Sequence, residues 1–218
     1  MPYVFLLDSG LGPVSGAAWP LPADGGPGAW LEAAAIQPPG SRVQAYAAAD
    51  LPFWISQVLW EVELDGNVTE HDCYLAADRG RLLRQVQRWT PDVSASFAAA
   101  CGLRTRSHVV ELLRHDGYEA QAQRLAACPD LAAIAAMGAE VASELEDRSR
   151  LFASRAAANA LAAAAPRTGI TAHLTAVVAG EVARATGATA EFDEGFLAER
   201  RWQAGWLAEQ LELPVGVG

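Results

Sequence analysis

Leu59-Trp60-Glu61-Val62-Glu63-Leu64-Asp65-Gly66-Asn67 is the stretch on which the fold turns. From Trp60 to Leu64 apolar and acidic residues alternate, the two-residue period of a half-buried strand, and Asp65-Gly66-Asn67 is a turn signature. Together they predict a hairpin over Val58 to Ala76. A two-residue turn at Asp65-Gly66 or Gly66-Asn67 puts Trp60, Val62 and Leu64 on one face with Cys73 and Leu75. Glu61, Glu63, Glu70 and Asp72 then share the other face, whereas a three-residue loop would mix acids into the apolar set.

Working upstream, Tyr3 to Asp8 is a short apolar run that stops at turn residues and is expected to be a buried strand. Ser9 to Ala29 is dense in Gly and Pro and predicts a long irregular loop carrying Trp19 and, just beyond its end, Trp30. Such loops inside compact domains tend to carry function. Trp30 to Ile36 and Val43 to Tyr46 are short strand candidates around the Gln37-Pro38-Pro39-Gly40 turn. Asp50 is placed to cap a helical turn through Pro52 to Ile55.

Downstream the period changes to helical. Leu82, Leu83, Val86 and Trp89 form one stripe and Arg81, Arg84 and Arg88 another, so Arg79 to Trp89 reads as a helix with its arginines turned away from the hairpin acids. Thr90-Pro91 is a cap and first-turn proline opening a helix to about Cys101, which Gly102 ends. Arg104 to His115, Tyr118 to Ala127, Asp130 to Ala165, Ile170 to Thr186 and Asp193 to Leu211 follow, with Gly138 a candidate break and 166–169 a linker. The expected fold is α+β: a small, mostly antiparallel N-terminal sheet with an Ala-rich C-terminal helical bundle. Its parts are 1–90 and 91–218, separate or folded as one compact domain.

Half of the residues are apolar, enough for a sizeable core, and the net charge is −10. No apolar stretch reaches the roughly 18 to 20 residues of a membrane helix. The N-terminus has no basic region before its apolar run. Cys73, Cys101 and Cys128 are odd in number and widely spaced, which argues against a disulfide framework or a thiolate zinc site. These features predict a cytoplasmic protein with free thiols. All sixteen basic residues are Arg, a codon signature of a high-GC genome. An acidic whole disfavours nucleic acid as a partner. Charge is nonetheless uneven: seven arginines lie between Arg79 and Arg114, against Asp92 and Glu111, and five acids between Glu61 and Asp72.

Several residues are candidates for chemistry. Arg81, Arg104 and Arg106 can grip a carboxylate or phosphate through guanidinium forks, with Trp19 and Trp30 folding over the ligand or plugging the sheet end. His108, Glu111 and His115 share a helical face with metal-ligand spacing, although it lies opposite the apolar side formed by Val109, Val110, Leu112 and Leu113 and is more simply a solvated face. His71 and Cys73 sit two apart on a strand, as a thiol nucleophile and base would, but no third group is identifiable. The hairpin carboxylates can hold a hard cation or share a proton. Phe97 to Leu113 has a helix-turn-helix cast, with polar His108 where an apolar residue is wanted. Trp202 projects off the buried side of the last helix and is a candidate contact for a protein partner. No dinucleotide, phosphate-loop, nucleophile-elbow or zinc-protease motif is present, and no cofactor is predicted.

Trp19-Pro20, Pro27-Gly28-Ala29-Trp30, the run Leu59 to Gly66, and Arg79-Gly80-Arg81-Leu82 together resemble a group of uncharacterised actinobacterial proteins over residues 1 to 115. Where those proteins carry a His-Ala-Cys element this chain reads Gln44-Ala45-Tyr46, and the resemblance implies no function. The expectation from the residues is a protein of specialised metabolism that binds or modifies a small anionic metabolite. A non-catalytic interaction module and a helix-turn-helix DNA-binding regulator are the alternatives.

Overall fold

A computed structural model describes residues 1–23, 25–38, 41–145, 152–162, 165–187 and 191–214. Seven strands are formed among them: β1 (Tyr3–Leu6), β2 (Leu31–Glu32), β3 (Val43–Ala45), β4 (Val58–Asp65), β5 (Thr69–His71), β6 (Tyr74–Ala77) and β7 (Arg79–Gln85). They make two antiparallel sheets, β1-β4-β7-β2 and β3-β6-β5, joined by backbone bonds between Tyr3 and Tyr46. Every residue of β1 is buried, as its uninterrupted apolar run requires.

The expected hairpin is corrected. β4 pairs with β1 and β7, and β5 pairs with β6 instead. Asp65-Gly66-Asn67 does turn, with Gly66 at φ 83° and its N–H donated to Asp65 Oδ1, but it passes the chain from one sheet to the other. The tight hairpin lies one strand later, where His71 faces Tyr74 around Asp72-Cys73. A two-residue period reveals which face of a strand is buried but not which strand lies beside it.

The helix expected over Arg79 to Trp89 is also corrected, since Arg79 to Gln85 is strand β7. Leu83 is an extra residue in its ladder: Glu61 pairs with Arg84 and Val62 with Leu82. That bulge breaks the two-residue alternation and imitates a helical stripe. Opposite charges meet across the ladder at Glu61–Arg84, Glu63–Arg81 and Asp65–Arg79, so the arginines face the acids they were expected to avoid.

Six helices follow among the described residues: α1 (Pro91–His115), α2 (Glu119–Ala126), α3 (Leu131–Glu144), α4 (Phe152–Leu161), α5 (Ala165–Ala185) and α6 (Phe192–Leu211). α1 runs straight through Gly102, so the turn of a helix-turn-helix is not formed there. Gly102 serves close approach instead, because a Cβ would sit 2.8 Å from Leu131 Cδ2. Gly138 likewise lies inside α3 against the backbone of Ser154. The single helix expected from Asp130 to Ala165 is two among the described residues; its stretches 146–151 and 163–164 lie outside them. Asp130 caps α3 by accepting the Ala133 N–H. The linker expected at 166–169 is the start of α5.

Contacts divide the chain into two units, Met1–Thr90 with the residues from Ala204 on, and Pro91–Gln203. The core of the first holds Phe5, Leu59, Val62, Leu82 and Trp89, with Trp89 edge-on to Phe5. That of the second holds Val109, Leu113, Leu125, Ile134, Val178 and many alanines. Small residues let α1 and α5 approach closely enough for buried hydroxyls to bond across the seam, Ser94 to Thr168 and Thr105 to Thr175. Among the described residues no helix is long and apolar enough to cross a membrane.

Candidate functional site

In the first unit, antiparallel pairing sets Tyr3 opposite Glu61, and the bulge at Leu83 sets Arg84 on the other side of Glu61. Tyr3, Glu61 and Arg84 therefore share one face. Glu61 is nearly buried, and both of its oxygens accept from Arg84, at 2.6 and 2.8 Å. Tyr3 is only 1 % exposed, yet its hydroxyl has no hydrogen-bond partner among the described residues. Burial and the Glu61 charge push that phenol up, against the pull of Arg84, so it stays a neutral O–H able to donate and accept.

The end of α6 supplies the opposite wall. The helix closes with two reversed bonds, Leu213 N–H to the Ala208 carbonyl and Glu212 N–H to the Glu209 carbonyl, while Leu213 is buried. This closure puts Glu212 in the left-handed region at φ 52°, and its carboxylate pairs with Arg88 at 2.7 Å. Between these walls lies an open polar cavity of about 310 Å³, lined by Tyr3, Glu61, Arg84, Arg88, Leu211 and Glu212 among others. That volume is at the lower end of small-molecule sites.

The second unit has its own charged centre, organised differently. Glu199 is 2 % exposed and receives a bidentate Arg104 and His108 Nε2 at 3.1 Å. Burial pushes its carboxyl up, but the bonds from His108 and Arg104 prevail and hold it below the usual range. Burial brings the adjacent Arg200 down to about 10. Arg200 donates to Gln203 Oε1 and meets His173 Nδ1 at 3.1 Å; Gln203 in turn donates to the Ala172 carbonyl. Burial, then Arg200, pushes His173 down, keeping its ring nitrogen an acceptor. Burial and Glu199 push the Cys101 thiol far up, so it is no nucleophile. Each side chain of this centre has at least one bonded partner.

The residues singled out in the sequence are placed as follows. Arg81 lies in the first unit and pairs with Glu63; its guanidinium and that of Arg79 lie over the half-buried Trp30 ring, at 4.6 and 4.7 Å. Arg104 and Arg106 are two apart on α1, so they diverge by about 200°. Arg104 holds Glu199 and lies 4.1 Å over the Trp202 ring, and Arg106 donates to the Cys128 carbonyl. Trp19 is buried beneath Gly80, plugging the first unit's core. His108 bonds Glu199 and His115 bonds Asp116, while Glu111 is exposed. Among the described residues no three His, Cys, Asp or Glu side chains are grouped to hold a metal ion. His71 is exposed and stacked on Tyr74, not on the apolar side, and burial with Asp50 and Asp72 pushes the Cys73 thiol up. That thiol is poorly suited to attack. Of the hairpin acids, Glu61 and Glu63 are ion-paired, and Glu70 and Asp72 are exposed.

Sequence inspection names Arg84 and Arg88 only as a surface stripe and does not single out Tyr3, Glu199 or Glu212. The usable signal for Glu212 was an absence: the last helix stops before Pro214 with no glycine to take the left-handed position. Comparison with known protein families, with curated proteins and with solved structures finds no match.

Proposed function

We propose that this protein binds a small molecule bearing a carboxylate or phosphate, in the cavity between the β1-β4-β7 face and the end of α6. The buried Tyr3 hydroxyl carries the proposal. A buried polar group with no partner costs about 1 to 3 kcal/mol, and such a cost is sustained where a ligand supplies the missing bond. Arg84 and Arg88, on the cavity wall, offer the fork-shaped donors that an anionic group prefers. What distinguishes them from Arg81, Arg104 and Arg106 is this shared cavity and the free hydroxyl beside it. The thiols Cys73, Cys101 and Cys128, none in a disulfide, fit a cytoplasmic setting.

The test is thermal unfolding in succinate or inorganic phosphate, against sodium chloride at matched ionic strength. Binding to the native state raises the melting temperature with ligand concentration. The expected result is a rise with at least one of the two anions that is lost in Arg88→Ala. No rise with either, or an undiminished rise in the variant, would overturn the proposal.

A further inference from the structure

The cavity wall that carries two arginines also carries two glutamates. Arg84 is matched by Glu61 and Arg88 by Glu212, so the wall is close to neutral and an anion attracted by the arginines also meets repulsion from the glutamates. Glu212 is the more telling of the two. It is the only non-glycine residue with positive φ among the described residues, at 52°, and it stands where a helix of this closure takes glycine. A side chain there strains the backbone. The closing bonds to Ala208 and Glu209 are made by main-chain N–H groups and would form with glycine too. The closing turn gains nothing from a glutamate at this position; apart from an exposed pair with Arg88 that solvent screens, what the side chain adds is a carboxylate in the cavity. Its side chain is 67 % exposed, with Oε1 on Arg88, leaving capacity for a second donor. The last turn of α6 adds the negative end of a twenty-residue helix beside it, which favours a cation.

We infer that the ligand is amphoteric, carrying a cationic amine as well as its anionic group, in the manner of a free amino acid or a very short peptide. The inference rests on the cavity being a ligand site. The anionic group lies on Arg84 and Arg88, the ammonium on Glu212, and the Tyr3 hydroxyl donates to the one or accepts from the other.

Three matched probes separate the possibilities: L-glutamine, its N-acetyl derivative, which keeps only the anion, and its methyl ester, which keeps only the cation. Binding is followed by two-dimensional NMR on the full chain, through the amides of Tyr3, Glu61, Arg84 and Glu212. L-glutamine is expected to bind about two- to fivefold more tightly than either derivative, the worth of one solvent-accessible charge pair. In Glu212→Gly that preference over N-acetyl-L-glutamine should disappear while the melting temperature holds or rises. Glu212→Gln, which keeps the length and the strain, should lose the preference equally. N-acetyl-L-glutamine binding as tightly as L-glutamine would overturn the inference while the anion site stands. A preference that survives in Glu212→Gln would also overturn it. No response of these amides to any probe would overturn both the inference and the site.

Discussion

Each unit of this chain buries a glutamate against an arginine, and the two centres differ in whether every side chain in them has a bonded partner. In the helical unit Glu199 accepts from Arg104 and His108, and Gln203 bridges Arg200 to the Ala172 carbonyl. In the sheet unit Glu61 and Arg84 are as tightly paired, yet Tyr3, which lines an open cavity beside them, keeps a buried hydroxyl with no partner among the described residues. A satisfied buried network rigidifies a core and specifies its packing. One with a member left over stores free energy that binding can release. On the proposed function, this contrast gives the first centre a structural part and the second a part in recognition.

The largest expected effect tests the structural side. Glu199→Gln removes a buried carboxylate from Arg104 and from the nearby Arg200, and should destabilise the helical unit by about 3 kcal/mol in urea unfolding. A loss well under 1 kcal/mol would mean the centre is not structural. Acid unfolding probes it again. Glu199 titrates lower in the folded state than its ordinary 4.5, and His173 lower than its ordinary 6.5. In both cases the unfolded chain binds the proton more readily, so stability is full above the ordinary value and is lost as pH falls through the folded one. Stability should therefore decline below about pH 6.5 and more steeply below about 4.5. Glu199→Gln should flatten the lower part, which stability measurements across pH would reveal.

On the recognition side the expected sign reverses. Glu212→Gly should stabilise the sheet unit by about 1 kcal/mol, the strain of a left-handed non-glycine residue, measured by urea unfolding. The smallest effect is expected at the exposed end of the β4-β7 ladder. Asp65→Asn breaks a pair with Arg79 that solvent largely screens, and the melting temperature should hardly move.

Much of the fold was legible because it is local. The apolar run at Tyr3, the alternation from Trp60 to Leu64, the helix start at Asp130 and the length of the last helix each carry their own signal. What failed was non-local. Leu82, Leu83, Val86 and Trp89 satisfy a helical stripe, and only pairing with β4 across the Leu83 bulge makes the segment a strand. Asp65-Gly66-Asn67 announces a turn without saying that it leads into a second sheet. The candidate site was barely legible for the same reason. Tyr3, Glu61, Arg84 and Glu212 are spread over the whole chain and meet only through strand register and the closing turn of α6. Arginines can be counted in a sequence, but an unbonded hydroxyl cannot.

Tyr3→Phe tests the central claim most directly, by measuring stability and affinity in one variant. Removal of an unpartnered buried hydroxyl should leave unfolding stability unchanged or raise it by about 1 kcal/mol, while binding of the ligand, read with L-glutamine, weakens severalfold. If the variant is instead clearly less stable and binds as the parent does, the hydroxyl serves the fold and the cavity is not its reason for being there.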